Sequence, residues 1–160
     1  NLVCDERQGP GNLGTKLRSA EAAGVSAIYL TPDCVDPYNP RVVRAGMGAH
    51  FRLPIFTGQT WEQIRVVLAE AGVKTERVFA TDAAAAHDYS KADWTRASAI
   101  VISNEAHGLS KGARESAQGG LLSIPMLGGT ESLNAAMAAT ILLFEAARQR
   151  REASGKPLER

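Results

Sequence analysis

Leu121-Leu-Ser-Ile-Pro-Met-Leu-Gly-Gly-Thr-Glu-Ser-Leu-Asn-Ala-Ala-Met-Ala-Ala139 passes from a short apolar run through a Gly-rich turn into an Ala-rich helix. A strand that hands over directly to a helix is half of a βαβ unit, and repeated units of that kind build a parallel sheet. The turn offers unpaired backbone N–H groups where the helix begins, a place that holds polar ligands. Ser132 in the same position also reads as an ordinary helix N-cap. Alone, the segment leaves a ligand loop and a capped connection equally open.

The same alternation extends along the chain. Apolar strand-like runs lie at residues 2–4, 25–30, 78–80, 99–103 and 121–125, with helix-period stretches at 13–23, 60–71 and 132–150 between them. Gly24 and Gly72 are stop signals for the first two helices, and Thr60 is the expected N-cap of the second. Shorter helical pieces are expected at 41–46 and 110–117. The expected fold class is α/β, a mostly parallel sheet flanked by helices. Polar or Gly-rich loops follow four strands, at 5–12, 31–40, 104–110 and 126–131, and ligands of open α/β sheets sit at the carboxyl ends of strands.

With 160 residues and 44% hydrophobic side chains, the chain supports one well-buried core, so a single domain over residues 1–160 is expected. It opens at Asn1 directly into an apolar strand, which suggests the C-terminal part of a longer protein. The net charge of +1 neither suggests nor excludes nucleic acid. Cys4 and Cys34 lack CxxC spacing and read as free thiols of a reducing compartment. No His, Cys, Asp or Glu spacing resembles a metal site, so no metal is expected. No apolar run approaches the roughly 20 residues that span a bilayer, and no charged-then-apolar leader is present. The expected location is cytoplasmic.

Gly9-Pro-Gly-Asn-Leu-Gly14 matches GxGxxG between a strand and a helix, with Asp33 ending the next strand, and so admits a dinucleotide reading. Against it, residues 5–8 separate the strand from Gly9, and Pro10 and Asn12 suit a turn and an N-cap. Lys16 and Arg18 fall in the first turns of the following helix, where cations oppose the helix dipole. An anionic partner accounts for them, and Asn12 and Arg18 are spaced to reach one concave site; a solvated Arg is the plainer alternative. Ser103-Asn-Glu-Ala-His-Gly-Leu-Ser110 follows a buried strand run, so Glu105 either bonds a ligand or caps the next helix. His107 reads as a weak base candidate or a solvent-facing loop residue. His50 and His87 carry no local motif.

Together these segments resemble the SpoU family of S-adenosylmethionine-dependent RNA ribose 2′-O-methyltransferases, within the SPOUT superfamily, over nearly the whole chain. The first family motif, an Asn-x-Gly run leading to an Arg, is similar to Asn12-Leu-Gly-Thr-Lys-Leu-Arg18. The second is similar to Ile100-Val-Ile-Ser-Asn-Glu-Ala-His-Gly-Leu-Ser110, and the third to residues 124–139. Residues 30–49 resemble the family's usual loop and helix. Two departures from the pattern stand out: Ser103 stands where the second motif usually has Gly, and Ala135-Ala136 replace the more usual Val-Ser.

The resemblance implies a C-terminal deep trefoil knot, S-adenosylmethionine as cofactor, an rRNA or tRNA partner, a homodimer, and a separate N-terminal RNA-binding domain. It implies cofactor contacts from Leu30, Thr31, Ser103, Asn104, Gly108, Ile124, Met126, Gly128 and Leu133. The implied catalytic set is Arg18, Asn12, Glu105, Ser132 and Asn134. A guanidinium has a pKa above about 12, so Arg18 suits a role gripping the neighbouring phosphate and stabilising the developing alkoxide, with general-base Arg as the alternative. Arg7, Lys16, Arg41, Arg44 and Arg52 are the candidate RNA contacts, although each also reads as a solvated charge. A catalytically silent RNA-binding or assembly protein of the same fold is the alternative function.

Overall fold

Runs of Leu, Val and Ile too short to cover themselves must find partners on both sides, and in this chain they do so edge to edge. The computed structural model describes residues 1–5, 7, 9–104 and 107–155. Strands β1 (Leu2–Cys4), β2 (Ile28–Leu30), β3 (Ile55–Phe56), β4 (Val78–Thr81), β5 (His87–Asp88), β6 (Ala99–Ile102) and β7 (Gly120–Ser123) form a seven-stranded sheet in the order β3-β2-β1-β6-β4-β7-β5. Every neighbouring pair is parallel, with Val3 opposite both Tyr29 and Val101 at the centre. The helices are α1 (Pro10–Ala22), α2 (Pro40–Gly46), α3 (Trp61–Glu70), α4 (Lys111–Ser116) and α5 (Ala135–Ser154).

Alternation along the central strands divides the core in two. Leu2, Cys4, Ile100 and Ile102 join Leu13, Leu17, Val42, Ala139, Leu142 and Leu143 under α1, α2 and α5. Val3, Ala99 and Val101 point the other way, to Ile64, Leu68 and Ala113 of α3 and α4. Such two-sided burial explains why these strands read as continuous apolar runs. Among the described residues no helix is long and apolar enough to cross a membrane.

Several boundaries differ from the sequence expectation for local reasons. The run at 25–30 is a strand only from Ile28, because the Val25 N–H donates back to the Ala20 carbonyl and closes the end of α1. Helix α1 starts at Pro10 with Gly9 as N-cap, so Asn12 lies inside the helix and is not its cap. Proline at the first helical position has its φ preset and needs no N–H partner. Helix α5 starts at Ala135, with Asn134 rather than Ser132 as N-cap; Asn134 Oδ1 accepts from the N–H groups of Ala136 and Met137. Thr60 caps α3 in a reciprocal arrangement with Gln63, as its position suggested. Strands β3 and β5 have two residues each, too few for alternation to show, and exist because neighbours supply the pairing.

Gly14 is buried where α1 crosses α2: a Cβ there would stand 2.5 Å from Ala45 Cβ and 2.7 Å from the Val42 carbonyl oxygen. The last glycine of the GxGxxG match thus serves helix packing. Gly14→Ala is expected to cost about 1–3 kcal/mol of unfolding free energy by urea denaturation, as overpacked sites do. Gly11→Ala on the same helix, where a Cβ meets nothing within 4 Å, should be neutral or stabilising by up to about 1 kcal/mol. Equal losses at both would remove the packing explanation.

Candidate functional site

The carboxyl ends of β6, β4 and β7, three neighbours in the sheet, open onto a cavity of about 250 Å³. The turn after β4 contributes Thr81, Asp82 and Ala83 to its wall, and β6 and its loop contribute Ile102, Ser103, Asn104, Gly108 and Leu109. The segment after β7 adds Leu122, Ser123, Ile124 and Met126, and the approach to α5 adds Ser132, Leu133, Ala135 and Ala138. The walls are largely apolar, with hydroxyl, amide and carboxylate groups among them, the usual make-up of a small-molecule site.

The loop after β6 owes its shape to a backward fold. The Gly108 N–H donates to the Asn104 carbonyl at 3.1 Å, and Gly108 takes a φ of 69°, which favours glycine. Glu105 of this loop lies outside the described residues. Its far end is held by Asp5, fully buried after β1: Asp5 Oδ2 accepts from the Ser110 N–H and Asp5 Oδ1 from the Ser110 hydroxyl, both at 2.8 Å. Trp61 Nε1 of α3 donates to Asp5 Oδ1 at 3.0 Å. Ser110 in turn caps α4 through the Ala113 N–H.

The first and third sequence motifs meet in one hydrogen bond. Asn134 uses its oxygen to cap α5 and its Nδ2 to donate to Asn12 Oδ1 at 3.0 Å. Farther along, the hydroxyls of Ser19 and Thr140 lie 2.7 Å apart and keep α1 beside α5. Arg18 sits on the exposed surface of α1 and does not line the cavity.

Of the nine expected cofactor contacts, Ser103, Asn104, Gly108, Ile124, Met126 and Leu133 line the cavity, as does Ser132 of the expected catalytic set. Leu30 and Thr31 are instead buried at the end of β2, two strands from β6, and do not line the cavity, Thr31 donating its backbone N–H to the Cys4 carbonyl at 3.2 Å. Gly128 is exposed and outside the wall. The structure corrects the reading of Lys16 as an RNA contact: it is completely buried. It shares the sheet-facing stripe of α1 with Leu13, Leu17 and Ala20, so its ammonium cannot meet a surface phosphate without unpacking that face. Arg7, Arg41 and Arg44 are exposed, and Arg52 is paired with Glu21 at 2.8 Å. The sequence reading missed Thr81, Asp82 and Ala83. It ended that strand at Ala80, so the loop behind it drew no notice, although a polar step after an apolar run was the available signal.

Neither Cys4 nor Cys34 is in a disulfide, and Cys34 Sγ donates to the Cys4 carbonyl oxygen at 3.3 Å. Burial, and then the neighbouring Cys4, push the Cys34 thiol up to about 12, against the opposing pull of its Thr31 hydrogen bonds and of Lys16. Among the described residues no three His, Cys, Asp or Glu side chains are grouped to hold a metal.

A fully parallel sheet covered on both faces, with a cavity at the carboxyl ends of three adjoining strands, defines a ligand-binding α/β domain. The SpoU rRNA Methylase family matches residues 1–144, and the chain belongs to that family. It is 38% identical to the Homo sapiens protein "rRNA methyltransferase 3, mitochondrial", over 94% of this chain and 47% of that one. It is 34% identical to the Bacillus subtilis 23S rRNA (guanosine(2553)-2'-O)-methyltransferase RlmP, over 89% of this chain and 56% of that one. The crystal structure of the SpoU methyltransferase AviRb from Streptomyces viridochromogenes, in complex with the cofactor AdoMet, superposes with a TM-score of 0.84 at 35% identity. That match covers 94% of this chain and 60% of the other. The chain spans about half the length of the curated relatives it matches.

A thiol titrating near 12 is almost wholly protonated at pH 8, and the thiolate is the reactive form. In the folded protein Cys34 should therefore react with iodoacetamide at pH 8 roughly a hundredfold or more slowly than in urea. Mass spectrometry of timed samples would show this, and comparable rates in both states would contradict it.

Proposed function

We propose that this chain carries the methyl-transfer domain of an S-adenosylmethionine-dependent RNA (ribose-2′-O)-methyltransferase acting on rRNA or tRNA. The observation that carries the reading is the Asn12–Asn134 hydrogen bond at the approach to α5, whose first residues wall a cavity also lined by Ser103, Asn104, Ile124 and Leu133. Family membership supports methyl transfer, and the name of the Bacillus subtilis relative supports the ribose oxygen as acceptor.

The residues present fit S-adenosylmethionine. Ile102, Leu109, Leu122, Ile124 and Leu133 offer apolar surface for a flat base, while Ser103, Asn104 and Ser123 offer polar groups for the sugar and amino-acid parts. When bound, the cofactor supplies a sulfonium methyl group for displacement by a nucleophile. Asn12, Asn134 and Ser132 orient the ribose, with Asn134 held by its capping role. Arg18 grips the phosphate beside the target nucleotide and stabilises charge as the 2′-oxygen loses its proton to that phosphate or to water. Glu105 holds its loop or Arg18. Leu30, Thr31 and Gly128 lie outside the wall and act on the cofactor only through the loops they belong to.

Arg7, Arg41 and Arg44 contact RNA phosphates, and Arg52 joins them by exchanging Glu21 for phosphate. An ion pair this exposed is screened by water and salt, so the exchange costs little. The proposal includes a homodimer and a C-terminal deep trefoil knot. Met137 and Phe144, half-exposed and seven residues apart on α5, support the first. The convergence of Ser103, Asn104, Gly108 and Leu109 with Ile124, Met126, Ser132 and Leu133 on one cavity supports the second.

Full-length protein, labelled S-adenosylmethionine and RNA should yield methyl groups that protect the adjoining linkage from alkaline cleavage. Base-methylated products would overturn the ribose assignment, and RNA binding without cofactor binding would favour the assembly protein. Arg18→Ala is expected to lower transfer by roughly a hundredfold or more while cofactor affinity stays within about threefold. Parallel loss of both would refute the division of labour. Ala138→Phe, placed in the cavity wall, should abolish cofactor binding by calorimetry with the circular dichroism spectrum unchanged.

A further inference from the structure

Among the described residues lining the cavity, Asp82 is the sole ionisable side chain; the others are apolar, hydroxyl, amide or glycine groups. Three hydrogen bonds hold it in place. The Asp82 N–H donates to the Leu122 carbonyl at 3.0 Å, joining the turn after β4 to β7. Asp82 Oδ1 accepts from the Ala84 N–H at 2.9 Å, and the Asp82 carbonyl accepts from the Ala85 N–H at 3.1 Å. The residue is half-buried, and the adjoining Ala83 and Ala84 add only methyl groups, so a ligand can come close to the carboxylate.

One negative charge in a half-open cavity of mixed apolar and polar wall, with no lysine or arginine among the described lining residues, leaves the cavity electrostatically unbalanced. A ligand cation relieves that imbalance by direct attraction to the carboxylate, at a place where bound ligand displaces part of the water. Methyl transfer changes the charge at one atom of the cofactor: sulfur is a cationic sulfonium before the methyl leaves and a neutral thioether afterwards. We infer that Asp82 makes the cavity select by charge, holding S-adenosylmethionine more tightly than its product S-adenosylhomocysteine and so favouring product release. The inference rests on the S-adenosylmethionine reading of the site. It assigns a specificity role to a residue outside the three sequence motifs.

Isothermal titration of the full chain with three ligands tests this: S-adenosylmethionine, S-adenosylhomocysteine, and sinefungin, which carries a cationic amine in place of the methylated sulfur. Asp82→Asn removes the charge and keeps an oxygen for the Ala84 N–H. The Kd of the two ligands with a cation at the transfer position is expected to rise by about tenfold or more, equivalent to about 1.4 kcal/mol, while that of the thioether, cationic only at its α-ammonium, stays within about twofold. Asp82→Ser, which also retains a capping oxygen, carries the same expectation, and Asp82→Glu should preserve the preference. Thermal melting without ligand separates charge loss from unfolding. An equal change for all three ligands, or none for any, overturns the inference while leaving the cofactor reading intact. Failure of the wild-type chain to bind any of them removes the cofactor reading and this inference together.

Discussion

Everything else in this molecule follows from the burial of β1 and β6 on both faces. Leu2, Val3, Cys4, Val101 and Ile102 are at most 1% exposed, so strands this short are stable only if helices cover the sheet above and below. Each fully buried aliphatic side chain contributes about 1.5–3 kcal/mol, and neither layer of helices could be lost without exposing several. A strand covered on both faces is joined to its parallel neighbour through a crossing helix. The chain therefore returns to the same end of the sheet after each helix, and the loops that leave the strands gather at the other end. The cavity is the space between three of those loops.

What makes the gathered loops a site is the double use of a few polar groups. Asn134 spends its oxygen on the first turn of α5 and its amide N–H on Asn12, so helix capping and motif assembly are one event. Asp5 does the equivalent on the other side, joining the end of β1 to Trp61 and to Ser110 at the close of the loop after β6. Asp5 is fully buried, so its bonds constrain the loop more sharply than apolar contact would, because a broken hydrogen bond in a dry interior is expensive; the Asn134–Asn12 bond is exposed and acts by fixing geometry. Ser132 was expected to be both cap and site residue, and Asn134 took over the cap while Ser132 kept a place in the wall.

Legibility in the sequence followed the range of the interactions. Thr60 and Gln63 are three residues apart and cap α3 as their types suggested, since capping is local. The five longer strand runs were visible because two-sided burial writes itself as consecutive apolar residues. Strands β3 and β5 were not, because each depends on a neighbour and not on its own two side chains. Lys16 misled because residue type suggested solvent, whereas its position, three residues from Leu13 and four from Ala20, placed it on the buried stripe. Asp82 went unnoticed because its significance lies in what surrounds it.

Read unaided, the sequence determined an α/β fold, a parallel sheet, the strand-end loops and, by likeness of three short motifs, the family to which the chain belongs. These are properties of periodicity and short motifs, carried by residues near one another in the chain. Only the tertiary structure decided that β4 lies between β6 and β7, that Asn12 meets Asn134 across 122 residues, and that Asp82 stands in the cavity with Ser103 and Leu133. Such neighbours are set by packing two layers of helices on one sheet. That choice minimises exposed apolar area over the whole chain and leaves no mark in any one segment.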